Sequence, residues 1–98
     1  MKYTMDESAK TKRDRLEKLA IGAGFNSINN LATSCGLSTS NIYTNFRGKW
    51  EMSVKRMFKL ANACKVPIEV VIDIFYPELM QENMTIVSEV VQTTNNID

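Results

Sequence analysis

Apolar residues recur every three or four positions along most of this 98-residue chain, which is the spacing of one face of an α-helix. The pattern predicts an all-α fold, with five short helices and no strand between residues 8 and 76. Three of the predicted helices follow a serine, whose hydroxyl can accept a hydrogen bond from the first turn. The predicted bounds are Ser8 to Ala23, Ser27 to Cys35, Ser38 to Arg47, Ser53 to Cys64 and Pro67 to Tyr76.

The same periodicity assigns a core-facing side to the longer helices. The first helix is predicted to bury Leu16, Leu19, Ala20 and Ala23. The predicted buried set of the fourth helix is Val54, Met57, Phe58, Leu60, Ala61 and Cys64. The fifth helix is predicted to bury Ile68, Val71, Ile72 and Phe75. A chain of this length fills one modest core, so we expect a single folded domain over residues 8–76.

Two terminal segments flank that domain. Residues 1–7 are predicted to be an N-terminal arm, and residues 77–98 an acidic C-terminal segment. Apolar residues in the C-terminal segment recur at steps of three and four, which suits a sixth helix. Its β-branched run Thr85-Ile86-Val87 suits a strand equally well, so both types stay open.

Residues 31–43 carry the most informative local pattern. Ala32 is a small residue one helical turn before Gly36, where the chain must bend sharply. An apolar residue comes from each arm and from the turn, at Leu31, Leu37 and Ile42. Two short helices joined in this way are predicted to form a helix-turn-helix, whose second helix enters the major groove of DNA.

The charges divide along the chain, although the net charge is only +1. All 12 Lys and Arg residues lie between Met1 and Lys65, together with 5 of the Asp and Glu residues. The remaining residues carry 6 Asp or Glu and no basic side chain. A polyanion would be attracted by the first part and repelled by the last third. The charge distribution therefore favours the same region as the local pattern.

The content of cysteine and histidine argues against several kinds of site. Cys35 and Cys64 have no histidine to join them in a zinc site, and both fall at apolar positions typical of buried, reduced thiols. The missing histidine also removes the commonest general base, so we predict no enzyme activity, no metal and no cofactor. The chain has no apolar run long enough for a bilayer and no signal-peptide pattern, which predicts a cytoplasmic protein without membrane contact.

A set of residues around the turn points to a known family. A leucine-alanine pair precedes a glycine, an aliphatic residue and a serine, and a further aliphatic residue and a later serine follow. The positions are Leu31, Ala32, Gly36, Leu37, Ser38, Ile42 and Ser53. In them the chain resembles the Cro and phage-repressor type of helix-turn-helix domain, also called lambda repressor-like, from about Arg13 to Phe75. The resemblance implies a five-helix domain in a small transcriptional regulator, a repressor of a phage or mobile element.

Two positions depart from that family. Ile28 stands where the family commonly has a glutamine that braces the DNA backbone, and Met52 stands where a proline is usual. Tyr43, Phe46 and Lys49 have the spacing found after the turn in tetracycline-repressor-type regulators. Those regulators carry a large effector-binding domain for which 98 residues leave no room, so we expect no small-molecule effector.

The third helix is predicted to turn Ile42 and Phe46 to the core and its polar face to DNA. The residues predicted to read bases are Thr39, Ser40, Tyr43, Thr44 and Arg47. Contacts to phosphates are predicted for Asn29, Asn30, Ser38, Lys49, Lys55 and Arg56. An ordinary solvated helix face is the alternative to this interpretation. Trp50 either closes over the core or lies along the sugar-phosphate backbone.

Most proteins with this domain bind symmetric sites as pairs, so we expect a homodimer on a palindromic operator in double-stranded DNA. The apolar stripe predicted to hold the pair together is Ile74, Phe75, Leu79, Met80, Met84, Val87 and Val91. Packing of this stripe on its own domain is the alternative. A second functional class also stays open, a protein-interaction module such as an antitoxin or antirepressor that uses the acidic C-terminal segment.

Overall fold

The computed structural model describes residues 6–80. These residues form five complete helices without a strand, which confirms the all-α class for this part of the chain. The helices are α1 (Glu7–Gly22), α2 (Ile28–Ser34), α3 (Thr39–Phe46), α4 (Val54–Cys64) and α5 (Ile68–Phe75). Residues 77–80 begin a further helical turn. The choice between helix and strand for the rest of the C-terminal segment lies outside the described residues.

Short polar side chains start four of the helices. The hydroxyls of Ser27, Ser38 and Ser53 each accept a hydrogen bond from the backbone N–H three residues later, at 3.1, 3.2 and 3.1 Å. Each bond satisfies a donor that the first turn of a helix leaves unpaired, so these three caps confirm the predicted starts of α2, α3 and α4. Asp6 caps α1 through the N–H of Ala9 at 2.8 Å, so α1 begins one residue before the predicted Ser8.

A glycine ends each of two helices: Gly36 follows α2 at the α2–α3 turn, and Gly48 follows α3 at the start of the next loop. Gly36 and Gly48 have φ of 72° and 78°, a left-handed conformation that a side chain would strain. The N–H of Leu37 then reaches the carbonyl of Ala32 at 2.8 Å, and the N–H of Lys49 reaches the carbonyl of Thr44 at 3.0 Å. Both ends are Schellman motifs, so backbone hydrogen bonds alone fix where the chain goes after α2 and after α3.

The core lies between the inner faces of all five helices. Its fully buried large side chains are Leu16, Leu31, Ile42, Leu60, Val71 and Phe75. Phe46 and Phe75 stack with their ring centroids 5.7 Å apart, and the ring of Tyr43 meets Phe46 edge-on at 5.4 Å. Aromatic pairs at these distances contribute about 0.5–1.5 kcal/mol each beyond their buried area. This aromatic column, defined by Tyr43, Phe46 and Phe75, supports α3 from the side of α5.

The structure corrects three predicted core positions. Ala23, Val54 and Phe58 are exposed, although the helical spacing had assigned them to buried faces. In α4 the buried side is centred on Met57, Leu60 and Cys64, and a step of 100° per residue leaves Val54 and Phe58 on its outer edge. Ala23 follows the last residue of α1, where the chain turns away from the core.

Phe75 and Ile74 were predicted to belong to a dimer contact, and for these two residues the prediction is wrong. Phe75 is completely buried and Ile74 nearly so, because α5 turns both towards the core. Leu79 is exposed and Met80 is half-buried, so the stripe keeps exposed apolar surface only beyond α5 within the described residues. Met84, Val87 and Val91 lie outside the described residues.

An ion pair joins the first and last helices. Nη2 of Arg15 lies 2.6 Å from Oδ2 of Asp73, and Nη1 of the same arginine donates to the Asp73 carbonyl at 3.3 Å. Both side chains are about two-fifths exposed, and pairs at such exposure typically contribute at most about 1 kcal/mol. The pair therefore fixes the register of α1 against α5 more than it stabilises the domain.

No helix among residues 6–80 is long and apolar enough to cross a bilayer.

Candidate nucleic-acid interface

The outward face of α3 is built by three side chains one helical turn apart. Ile42, Asn45 and Phe46 are buried on the inner side of this eight-residue helix. At 100° per residue, the positions directly opposite are Ser40, Thr44 and Arg47. Ser40 and Arg47 are exposed and Thr44 is half-buried. The structure therefore brings together three of the five predicted base-reading residues on one ridge.

Thr39 is half-buried at the start of α3 and is held by α2. Its hydroxyl donates to Oδ1 of Asn29 at 2.6 Å. This bond ties the first residue of α3 to the first turn of α2 and fixes the orientation of the Asn29 amide. The Asn29 side chain keeps its NH₂ group as a donor, which is the group that a phosphate oxygen accepts from.

The hydroxyl of Thr44 already has a partner within its own helix. It donates to the carbonyl of Ser40 at 2.8 Å, one turn earlier. With its proton engaged, this hydroxyl can accept a hydrogen bond but not donate one outward. The exposed part of Thr44 therefore offers an acceptor and a methyl group, which fit an amino group or a thymine methyl at the edge of a base pair.

Tyr43 differs from the remaining base-reading candidates, because its ring is part of the aromatic column. It is half-buried against the core and stands edge-on to Phe46. Only the hydroxyl end of such a side chain remains for outside contacts. Asn41 is exposed on the other flank of α3 and was not among the predicted residues. Its signal in the sequence is its position three residues before Thr44, which places it on a neighbouring surface.

Two of the predicted phosphate ligands also have structural partners. Oγ of Ser38 caps α3, and Oδ1 of Asn30 accepts the N–H of Asn26 at 3.3 Å while the Asn30 N–H bonds to Ser27. Asn30 thus completes a reciprocal capping arrangement at the start of α2. Its remaining donor is the amide NH₂ group, and Ser38 keeps its hydroxyl proton.

The predicted cationic ligands lie around the loop between α3 and α4. Lys49 is exposed directly after the Gly48 turn, and Lys55 and Arg56 are exposed on the first turn of α4. The guanidinium of Arg56 lies 5.2 Å from the centroid of the Trp50 ring and 3.3 Å from Oγ of Ser53. Cation–π contact at this distance holds the arginine over the loop. Trp50 itself packs against the core, as the first of its two predicted roles requires.

Asn45 is the one buried polar side chain among the described residues, and the sequence pattern did not indicate it. Its Nδ2 donates to the carbonyl of Trp50 at 2.6 Å and to the hydroxyl of Tyr76 at 3.1 Å. The same hydroxyl accepts the N–H of Met52 at 2.9 Å. Asn45 and Tyr76 therefore tie the loop after α3 to the end of α5, while Oδ1 of Asn45 stays buried without a partner among residues 6–80.

We expect this network to be energetically coupled. Asn45→Ala and Tyr76→Phe should each lower the free energy of unfolding by about 1–3 kcal/mol, because each leaves a buried backbone group without its partner. The double variant should lose at least about 0.5 kcal/mol less than the two single losses together. Urea unfolding of the four proteins measures the coupling. Tyr43→Phe is the matched control, since no hydrogen bond of the Tyr43 hydroxyl supports the loop; strict additivity would contradict the network.

The two cysteines behave as predicted for apolar positions. Cys64 is buried and Cys35 half-buried, both as free thiols, and the Cys35 thiol donates to the carbonyl of Lys59 at 3.5 Å. Burial raises the pKa of both thiols, and for Cys64 the nearby Cys35 raises the pKa further. Both are therefore protonated at neutral pH. No group of three or more His, Cys, Asp or Glu between residues 6 and 80 could hold a metal ion.

Comparison of the chain with models of known protein families, with curated proteins and with solved structures finds no significant match.

Proposed function

We propose that this protein is a sequence-specific regulator that binds double-stranded DNA, with α2 and α3 acting as a helix-turn-helix of the lambda repressor-like type. One observation carries the proposal. A short helix rests on a buried aromatic and aliphatic side and presents Ser40, Thr44 and Arg47 as a single polar ridge. Such a ridge is what a recognition helix needs in order to reach base edges while its other side stays fixed.

Each residue of the ridge has a defined chemical role in this proposal. Arg47 can donate two parallel hydrogen bonds to the O6 and N7 atoms of a guanine. Thr44 accepts from a base amino group or contacts a thymine methyl, since its proton is held by Ser40. Ser40 is exposed and can act as donor or acceptor. A good bidentate contact discriminates by about 1–3 kcal/mol against the wrong base.

The surroundings of the ridge supply contacts to the backbone of DNA. Lys49 and Arg56 flank the loop at the end of α3, and the Asn29 amide lies at its beginning. Contacts on both sides of the ridge would fix its depth and angle in the groove without reading sequence. The region from Leu37 to Lys65 carries six basic residues and one acidic residue, which favours a polyanionic partner. In this proposal the protein acts in the cytoplasm as a homodimer on a two-fold symmetric site.

Selection of DNA by the purified protein tests this function. A pool of random duplexes should be enriched in one sequence motif at about 50 mM salt, and binding should weaken steeply at about 200 mM. Plotted against the logarithm of the salt concentration, the logarithm of the binding constant should fall with a slope of about −0.9 for each phosphate that the protein neutralises. Single-stranded pools of DNA and RNA are the controls and should yield no motif. Failure to enrich any duplex motif at low salt would overturn the proposal.

A further inference from the structure

A cavity of about 370 Å³ lies beside the loop between α3 and α4. Four parts of the chain form its wall: Lys12 of α1, Asn45 of α3, residues 48–51 of the loop, and Tyr76 and Glu78 at and after the end of α5. Pockets that bind small molecules have volumes of about 300–1,000 Å³, so the cavity suits a ligand at the small end of that range. We call it the loop cavity.

The buried Asn45 gives the loop cavity a hydrogen-bond acceptor that nothing uses. Asn45 is only 3% exposed, and the two protons of its Nδ2 go to the Trp50 carbonyl and the Tyr76 hydroxyl. Because that carbonyl can only accept, the nitrogen has to face it, and Oδ1 is the atom left without a partner among residues 6–80. A buried acceptor without a partner is destabilising, so a ligand N–H that reaches Oδ1 would be bound favourably.

The hydroxyl of Tyr76 adds a donor next to that acceptor. It accepts one hydrogen bond from Asn45 at 3.1 Å and one from the N–H of Met52 at 2.9 Å. Both lone pairs of the oxygen are then used, which leaves the hydroxyl proton to donate. One hydrogen-bonded network of the cavity wall therefore offers an acceptor and a donor side by side.

The charged side chains of the cavity wall balance one another. Lys12 and Lys49 supply two positive charges, and Glu51 and Glu78 supply two negative ones. None of the four forms an ion pair with another of residues 6–80. A ligand with a single charge would meet as much repulsion as attraction here, whereas a ligand with both signs can pair each of its charged groups.

We propose that the loop cavity binds a small zwitterion of the class of the free α-amino acids. The carboxylate of the ligand pairs with the ammonium of Lys12 or Lys49 and accepts the hydroxyl proton of Tyr76. Such charge-assisted hydrogen bonds are about twice as strong as those between neutral groups. Lys12 is half-buried, so its pairing with a carboxylate is less weakened by water than that of an exposed lysine.

The ammonium group of the ligand meets the acceptors of the same cavity. It pairs with Glu51 or Glu78 and donates a hydrogen bond to Oδ1 of Asn45. Oδ1 itself is covered in the structure, so the ammonium reaches it only when a side chain at the rim of the cavity moves aside. The ring of Trp50 gives the rest of the ligand an apolar wall.

The bound zwitterion would regulate DNA binding, and this part of the inference rests on the proposed function. Lys49 belongs to the cavity wall and is also a proposed phosphate ligand, and a carboxylate bound to it competes with the phosphate. The ligand should therefore weaken binding to DNA, and by linkage DNA should weaken binding of the ligand by the same factor. The sequence had led us to expect no small-molecule effector because a separate effector domain is missing, but the loop cavity lies within the helical domain itself.

A titration of the full chain without DNA tests the site. Trp50 is the only tryptophan of the chain and lines the cavity, so its indole N–H gives one distinct reporter signal in the proton–nitrogen NMR spectrum. The protein amino acids, added one at a time up to about 1 mM, are the probes. At least one should shift the Trp50 signal with a dissociation constant below about 1 mM. The N-acetyl derivative and the carboxamide of that amino acid each keep one charge, and both should bind at least about tenfold more weakly.

Neutralising single charges tests which side chains hold the ligand. Lys12→Gln and Glu78→Gln should each weaken binding of the amino acid at least about fivefold, because each removes one charged partner. Lys10→Gln and Glu17→Gln are the matched controls, since both remove the same charge from an exposed position of α1 that does not line the cavity. These two variants should leave the dissociation constant unchanged, and circular dichroism verifies that all four are folded.

Binding to the selected duplex motif tests the regulation. A saturating concentration of the amino acid should weaken duplex binding about five- to tenfold and make the salt slope shallower by about 0.9, which corresponds to one phosphate contact. Lys49→Gln should bind the duplex more weakly from the start. It should also lose most of the response to the amino acid, because the shared side chain is gone.

Three results would overturn the site. The first is a Trp50 signal that none of the amino acids shifts. The second is equal binding of a derivative with one charge, and the third is an equal effect of the Lys12 and Lys10 changes. Because the ligand is titrated without DNA, a bound amino acid that leaves duplex affinity unchanged would overturn only the regulation. A protein that binds the amino acid but selects no duplex motif would overturn only the proposed function.

Discussion

Replacing both Thr44 and Arg47 by alanine should abolish discrimination between the selected DNA motif and random duplex. Two base contacts of about 1–3 kcal/mol each correspond to a loss of roughly 30-fold to more than 10⁴-fold in specific affinity. Binding to random duplex should fall far less, because phosphate contacts from Lys49 and Arg56 persist. Competition binding, with the selected motif and a scrambled duplex as competitors, measures both affinities.

The control for that experiment is Thr11→Ala together with Lys18→Ala. It removes one threonine and one cation from exposed positions of α1, and Thr11 lies beside Ile74 and Pro77, on the α5 side of α1. This variant should keep the full discrimination of the wild type. Both double variants should unfold within about 0.5 kcal/mol of the wild type, since the positions changed are not in the core. Unchanged discrimination in the Thr44 and Arg47 variant would remove α3 as the reader.

Phe75→Ala should lower the free energy of unfolding by about 3–5 kcal/mol. The phenylalanine ring is completely buried and stacks on Phe46, so the change leaves a cavity beneath α3. A domain of this size has a total stability on the order of 5–10 kcal/mol, and the variant should therefore be close to unfolding at 37 °C. Urea unfolding at 10 °C and thermal unfolding followed by circular dichroism at about 10–90 °C measure the loss.

Phe58→Ala provides the matched comparison on the surface. The same atoms are removed from a side chain that is half exposed, so the loss at concentrations where the chain is monomeric should stay below about 1 kcal/mol. The pair also separates the core role of Phe75 from the predicted role in dimerisation. If Phe75→Ala kept the stability of the wild type and lost only self-association, Phe75 would act in a dimer contact, which would contradict its burial in the core.

The local signals in the sequence predicted the helices well, because caps and turns act over four or five residues. Ser27, Ser38 and Ser53 each bond to the N–H three positions later, which needs no information from the rest of the chain. Gly36 is likewise placed by the turn that it permits. Pro67 stands at the cap of α5, one position before the first turn in which it was expected.

The edges of buried faces could not be predicted in the same way. Helical spacing gives the direction of an apolar side, but how wide a strip is covered depends on where the neighbouring helix packs. Val54 and Phe58 lie at that limit and are exposed, whereas Phe75 and Ile74 lie within it and are buried. Asn45 was missed for a related reason. Its burial depends on Tyr76, a partner 31 positions away, and no local pattern records such a pair.

The candidate interface was predicted in part. Ser40, Thr44 and Arg47 share the outward ridge, as spacing within one helix requires. The sequence could not indicate that the Thr39 hydroxyl would be used by Asn29, since that bond depends on the angle between α2 and α3. The sequence also could not indicate that the Tyr43 ring would pack edge-on against Phe46. Base reading by the outward-facing groups of these five residues stays a prediction.

Tyr76 contacts both the end of α3 and the groove between α4 and α5. Its hydroxyl holds Asn45 at the end of α3 and the N–H of Met52 in the following loop, and its carbonyl accepts the N–H of Leu79 at 3.0 Å. Its ring at the same time lines the apolar groove between α4 and α5, together with Met57, Ile72 and Leu79. A shift of Tyr76 at one surface must therefore be accommodated at the other. Linkage then requires reciprocity: if a partner in the groove changes the affinity of α3 for its ligand, that ligand changes the affinity of the groove by the same factor.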